Sequence, residues 1–383
     1  MEQIMDITSK IKALSKKYFT KVLEIRRHLH QNPELSFKEF KTSEYIQKQL
    51  TNAGIPFTAG YVETGIIALI KGKNPNKKTI LLRADMDALP IEEKNNVPYK
   101  SCNPGLMHAC GHDVHSAIGL GAAFILNDLK DEFEGTVKIM FQPGEEVLPG
   151  GASLMIKAGV LENPKVDKAI ALHVFPSMEA GKVGFKSGMY MASTDELYIT
   201  VNGKGGHAAM PADYVNPLLI ASEIILEINN QFMKPNALKG TFGENIPTVV
   251  AFGKIEGKGA TNVIPEKVDI EGTFRTMDEK WRDNVHGQLK SIVKIISDKY
   301  KIESTIRIEK GYPFLVNDID FTNACFSVAQ SYLGKENVEE LPLRMTAEDF
   351  AFITQKVPSC FYRLGTSNKE KSITSGVHTS TFN

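Results

Sequence analysis

Apolar residues change their spacing along the chain, and the change divides it into segments. From residue 7 to residue 31 they recur at helical intervals, which predicts one long helix. Ser36 and Glu39 then read as a capping box for a second helix ending near Ala53. Short runs follow that are apolar on both faces and bounded by turn residues: "TGIIALIKG", "KTILLRADMD", "GTVKIMFQPGEE" and "VDKAIALHVF". Helical patterns lie between them, from about Val114 to Leu129 and from Ala152 to Ala158. Doubly buried strands separated by helices predict an α/β domain with a largely parallel sheet.

From about Met191 the pattern is different. Strand Glu196 to Val201, helix Pro217 to Met233, strands Thr248 to Ile255 and Val268 to Arg275, helix Glu279 to Tyr300 and strand Ser304 to Glu309 give the order βαββαβ. That is the split ferredoxin-like unit, and it is long enough to fold as a domain. The α/β pattern resumes after "KGYPF", with helices around Phe321 to Leu333 and Ala347 to Gln355 and the strand "SCFYRLG". Three segments result: residues 1–190 and 311–383 form one domain, and 191–310 is an α+β domain inserted into it.

Charge adds exclusions. Forty-five basic and 45 acidic residues cancel, so no net field favours nucleic acid or an anionic membrane. No apolar run reaches signal-peptide length or the roughly 18 residues of a membrane span; a soluble cytoplasmic protein is expected. Cys102, Cys110, Cys325 and Cys360 lack the spacing of a disulfide framework.

Candidate chemistry gathers at one sheet edge. In open α/β sheets, ligands collect beyond the carboxyl ends of the strands. Asp85 and Asp87 follow "TILLRA", Glu145 and Glu146 follow "TVKIMF", and His173 closes "KAIAL". The stretch "MHACGHDVH" adds Cys110 and His112 at a helix N-terminus, a setting that favours a thiolate. Cysteine, imidazoles and paired carboxylates arriving at one edge point to a metal site. Other histidines read differently: His28 and His30 as packing or surface groups, His115 as a buried structural residue, and His286 as a solvated residue on an amphipathic helix. Cys102, Cys325 and Cys360 read as small packing groups.

In order, "RRHLHQNPELSFKE", "LLRADMDALPIEE", "GLMHACGHDVHSAIGLGAA", "FQPGEE", "ALHV", "GKGGHAAMP", "ATNVIP" and "GVHTSTF" resemble the motifs of the M20 family metallopeptidases. The branch they resemble is the amidohydrolase subfamily, which holds bacterial aminoacylases, hippurate hydrolases, N-acetyldiaminopimelate deacetylases and plant auxin-conjugate amidohydrolases. The resemblance implies a zinc-exopeptidase-like catalytic domain carrying a ferredoxin-like lid through which the protein forms a homodimer. It also implies two divalent ions per subunit, zinc, manganese or cobalt, bound by Cys110, His112, Glu146, His173 and His378. Cys110 would bridge the ions and Glu145 would be the general base for an attacking hydroxide. Asp85 would either brace the site or cap its own loop. His207 would cross the dimer interface and donate to the oxyanion. Asn262 and Arg275 would contact substrate, or else serve as strand-edge or interface residues. The implied activity is deacylation of N-acyl amino acids, with a dipeptidase or carboxypeptidase, or a non-catalytic metal-binding homologue, as the other readings. Two departures stand out: the sequence ends five residues after His378, which would leave that ligand loosely held, and the loop "EEVLPGGA" is poorer in glycine than usual.

Overall fold

The computed structural model describes residues 2–383, which divide into two units: residues through Gly188 with Val316–Pro342 and Asp349–Asn383, and Met189–Leu315 with Leu343–Glu348.

The first unit is built on an eight-stranded sheet. Its strands lie in the order Phe57–Tyr61, Gly65–Lys71, Thr136–Gln142, Thr79–Asp85, Lys168–Glu179, Ser359–Ser367, Val183–Phe185 and Val338–Glu340. The four central strands, Thr136–Gln142 through Ser359–Ser367, are mutually parallel. Their carboxyl ends therefore face one edge, as the apolar runs predict. Helices Glu2–Gln31, Phe40–Asn52 and His112–Asp128 supply Ile25, Leu29, Ile46, Leu50, Leu120 and Phe124 to a core that also contains Ile66, Ile139 and Phe141. Each such side chain contributes about 1.5–3 kcal/mol on burial.

Two local expectations fail here. Ser36 and Glu39 do not form a capping box, and the helix Phe40–Asn52 starts with no side-chain cap. Phe37 between them takes a left-handed backbone (φ 61°), and both side chains are drawn elsewhere: Ser36 Oγ donates to Asp87, while the Glu39 carboxyl accepts from Phe37 N, Gly144 N and Thr64 Oγ1. The helix expected from Ala347 to Gln355 is only Ala351–Thr354. Asp349 is turned inward instead, bonding Arg83, Gln142 and the backbone N–H of Ala152.

The second unit has the βαββαβ order. Its antiparallel sheet runs Thr248–Glu256, Lys267–Thr276, Asp195–Asn202, Glu303–Lys310. Helices Pro217–Phe232 and Glu279–Tyr300 cover it through Ile220, Ile224 and Ile228, and through Trp281, Val285 and Leu289. Both helices begin on a side-chain cap, Asn216 accepting from Leu218 N and Asp278 from Trp281 N. His286 is not the solvated residue its helix pattern suggests. Its Nε2 lies 2.6 Å from buried Asp195, which also binds Arg282, so the imidazole is drawn into an ion cluster at the core's edge.

Candidate metal centre

Helix His112–Asp128 is preceded by Gly111 in a left-handed conformation (φ 84°), where an added side chain would run into Val174. That tight turn holds Cys110 just before the helix and His112 as its first residue, beside His173 from strand Lys168–Glu179. Cys110 Sγ lies 3.3 Å from His173 Nε2 and 3.3 Å from His378 Nε2. The Glu146 carboxylate sits 3.2 Å from His378 Nε2 and 3.9 Å from His112 Nε2. Cys110 thus belongs to two triads, one with His112 and His173 and one with Glu146 and His378; the donor atoms of each lie within 4.8 Å of one another. His112, Glu145 and Glu146 form a third such group.

Beneath these donors lies a layer of buried acids. Asp87 Oδ1 lies 3.0 Å from His112 Nδ1, and its other oxygen accepts from Glu146 N at 3.0 Å. This fixes which imidazole nitrogen faces the cluster, the usual task of a carboxylate behind a metal-binding histidine. Asp85 accepts from His115 Nδ1 at 2.5 Å and pairs with Arg83. His115 Nε2 in turn accepts from Val174 N at 3.0 Å. With both nitrogens engaged, His115 is structural, as its place in the sequence suggests. Asp349 N–H reaches Glu145 Oε1 at 3.4 Å.

The electrostatics follow from these contacts. Burial disfavours the Asp85 charge, but Arg83, then His112 and His115, hold its carboxyl well below the usual range. Burial likewise opposes charge on His112, yet Asp85 and Cys110 raise its pKa well above the ordinary value. Burial, then His115, keeps His173 neutral, the form in which imidazole binds metal. Burial and Glu146 push the Cys110 thiol well up. A thiolate there needs a cation at the sulfur, which divalent ions held by this cluster would supply.

The donor set fits such ions. Among the described residues, His112 Nε2 is buried with no hydrogen-bond partner, a state costing about 1–3 kcal/mol unless a ligand satisfies it. His173 Nδ1 donates to Val174 O at 2.8 Å, which leaves its Nε2 lone pair facing Cys110. Thiol, imidazoles and one carboxylate suit zinc, manganese or cobalt.

His378 is not loosely held. It takes a left-handed backbone (φ 60°) and its N–H donates to Ala109 O at 2.7 Å. Lys94 N to Ser380 O, Asn95 Nδ2 to Phe382 O and the buried Phe382 ring fix the residues that follow.

In the second unit, the structure brings His207 and Asn262 together. The strand pair Gly206–His207 and Val263–Ile264 sets His207 opposite Val263, and Ala208 N donates to Asn262 O at 3.0 Å. Both residues are exposed, and His207 Nδ1 accepts from Ala209 N. Arg275 stands on strand Lys267–Thr276 and donates to Met345 O. The remaining histidines pack: His28 stacks on Tyr45, and buried His30 sits between Asp113 and Glu93. Cys325 and Cys360 join an apolar cluster. Cys102 does not pack, because its backbone N–H is tied to Gln31 O in a tight loop that leaves the side chain exposed.

Sequence reasoning set Asp87 at the sheet edge beside Asp85 but gave it no role of its own. It also missed Asp349, 204 residues from the glutamate it touches, for which the sequence carries no signal.

Residues 81–381 match Peptidase family M20/M25/M40. The chain is 38% identical to N-acetyl-L-cysteine deacetylase of Bacillus subtilis over 349 residues, covering 90% of this chain and 80% of that one. It is 35% identical to thermostable carboxypeptidase 2 of Saccharolobus solfataricus over 385 residues, covering 99% and 94%. The solved structure of Bacillus subtilis YxeP, described as a dinuclear metal binding peptidase from the M20 family, superposes with a TM-score of 0.79 at 32% identity, covering 96% and 93%. The chain therefore belongs to the M20/M25/M40 peptidase family and is a metal-dependent hydrolase of carbon–nitrogen bonds.

Proposed function

We propose that the protein removes the acyl group from N-acyl amino acids, with Glu145 as general base. The observation that carries this reading is the division between two adjacent acids. Glu146 turns to His378, whereas buried Glu145 stands beside the cluster with one oxygen held by the Asp349 N–H. On this reading Glu146 is a ligand and Glu145 carries the proton.

Two divalent ions held by Cys110, His112, Glu146, His173 and His378 would polarise the amide carbonyl and acidify an attacking water. Glu145 takes the proton from that water and delivers it to the amide nitrogen as the carbon–nitrogen bond breaks, leaving a carboxylate and a free amine. Asp87 and Asp85 hold the imidazoles in one orientation throughout. His207 donates to the developing oxyanion, and Asn262 and the Arg275 fork bind the substrate's carboxylate.

The same reading makes the protein a homodimer, with His207 serving the other subunit. Strand Thr248–Glu256 lies at the edge of its sheet and exposes Ile255, and helix Pro217–Phe232 exposes Leu219 and Leu226, the kind of surface a second copy covers. No helix among the described residues is long and apolar enough to cross a membrane, and a working thiolate suits the reducing cytoplasm, where we place the protein.

A dipeptide presents the same amide and terminal carboxylate, and similarity to a carboxypeptidase makes peptide cleavage the second reading. Protein loaded with zinc, manganese or cobalt is to be assayed on N-acetyl and N-benzoyl amino acids and on dipeptides, with products identified. Release of acetate or benzoate with the free amino acid is expected. Cleavage of dipeptides alone, or of nothing, would contradict the proposal.

A further inference from the structure

The segment between the first two helices, quoted above in "NPELSFKE", has no part in the chemistry just described, yet it lies against Asp87 and against Gly144, which leads into the two glutamates. Glu34 O accepts from Ala88 N, and Leu35 pairs with Ala88. Ser36 Oγ donates to Asp87 Oδ2 at 2.7 Å, the same oxygen that accepts from Glu146 N. Glu39 is fully buried. Its Oε1 accepts from Phe37 N and from Gly144 N, each at 2.9 Å, and its Oε2 accepts from Thr64 Oγ1 at 2.9 Å. Gly144 immediately precedes Glu145 and has a φ of 61°; a side chain there would collide with the Phe37 ring.

Burying a carboxyl is costly unless its oxygens are satisfied, and here the donors come from Phe37, Thr64 and Gly144, the last 105 residues from Glu39. The result is a fixed link between the helix junction and the loop that aims Glu145 and Glu146. Adjacent acids can serve different roles only if the backbone between them holds one conformation.

We propose that Ser36 and Glu39 are positioning residues: Glu39 clamps the Gly144 N–H and so sets the direction of the Glu145–Glu146 pair, while Ser36 holds Asp87 against Glu146 N. The proposal rests on the roles given above to those two acids. It assigns a task to the early motif, which contributes no ligand.

The test uses Glu39→Ala, Glu39→Gln and Ser36→Ala in the full chain. Burial and then Asp87 push the Glu39 carboxyl up to about 7, so glutamine resembles the acid in shape and can still accept from both backbone N–H groups. Glu39→Ala should lower kcat about 10- to 100-fold with KM nearly unchanged, and Glu39→Gln should recover most of the loss. In metal-free protein, amide exchange across residues 142–147 should accelerate in Glu39→Ala while that of helix His112–Asp128 stays as in the parent. Ser36→Ala, which empties no buried site, should weaken metal binding about tenfold, and it decides the matter if Glu39→Ala does not fold. Wild-type exchange in folded Glu39→Ala, equal damage from alanine and glutamine, or unchanged metal affinity in Ser36→Ala would overturn the proposal. Exchange in the metal-free chain reads the clamp alone, so a parent protein that binds no ions would refute the metal reading without touching this arm.

Discussion

In the first unit, Asp85, Asp87, His112, His115, Glu145 and His173 are all buried at the carboxyl ends of parallel strands, each held by another side chain or a backbone group. In the second, His207 is exposed on a two-residue strand pair and Asn262 in the turn before its partner strand, in a unit whose core contains Leu197, Ile199, Val268, Phe274 and Trp281. Removing one member of a buried network strands its partners at about 1–3 kcal/mol per unsatisfied group. Removing an exposed residue strands nothing. Substitutions in the first unit should therefore disturb metal, stability and rate together unless they spare the ligands, and those at the second unit's exposed positions should change rate alone.

The largest effect expected is on Glu145, which would show that a rate can collapse in the first unit without loss of metal. Glu145→Gln should lower kcat by about 10²- to 10⁴-fold with both ions retained, and Glu146→Gln should lose metal. Metal analysis beside a rate assay reads both. Reversed results would exchange the two roles.

His207→Ala tests the other side of the comparison. A loss of about 10²- to 10³-fold in kcat, with metal content and unfolding temperature unchanged, is expected. Mixing this variant with Glu145→Gln chains should restore activity, because one composite site then has an intact base and an intact histidine. No recovery after confirmed subunit exchange would reject a shared site.

A smaller effect should sharpen the buried side. Asp87→Ala removes the partner of His112 Nδ1 and of Glu146 N but no ligand, and should weaken metal binding about 10- to 100-fold. Calorimetric titration measures it, and wild-type affinity would leave Asp87 with no role in orienting the cluster.

Much of this division could be read in the sequence. Doubly apolar runs and the switch to a βαββαβ order are consequences of burial period, so strands and helices stand within a few residues of where the pattern sets them. The donors at strand ends were legible for the same reason. The contacts that orient them were less so. Cys110 and His378 meet across 268 residues, and motif resemblance, not spacing, joins them. Ser36 and Glu39 carry the local signature of a helix cap, but a left-handed Phe37 and two distant partners override it. His286 has the spacing of a solvated helix face and is instead drawn to Asp195. In each case a long-range polar partner outweighed a local preference worth about 1 kcal/mol.

Cys110 is the atom on which the buried side converges, since both triads include it. Parent protein and Cys110→Ser should be titrated with zinc or manganese and their bound metal counted, with the rate of iodoacetamide alkylation followed in the parent with and without metal. The parent should bind two ions per subunit, Cys110→Ser should lose affinity for both together, and metal should slow alkylation of Cys110. Retention of one ion at parental affinity in Cys110→Ser, or alkylation at the same rate with and without metal, would contradict a thiolate shared by two ions.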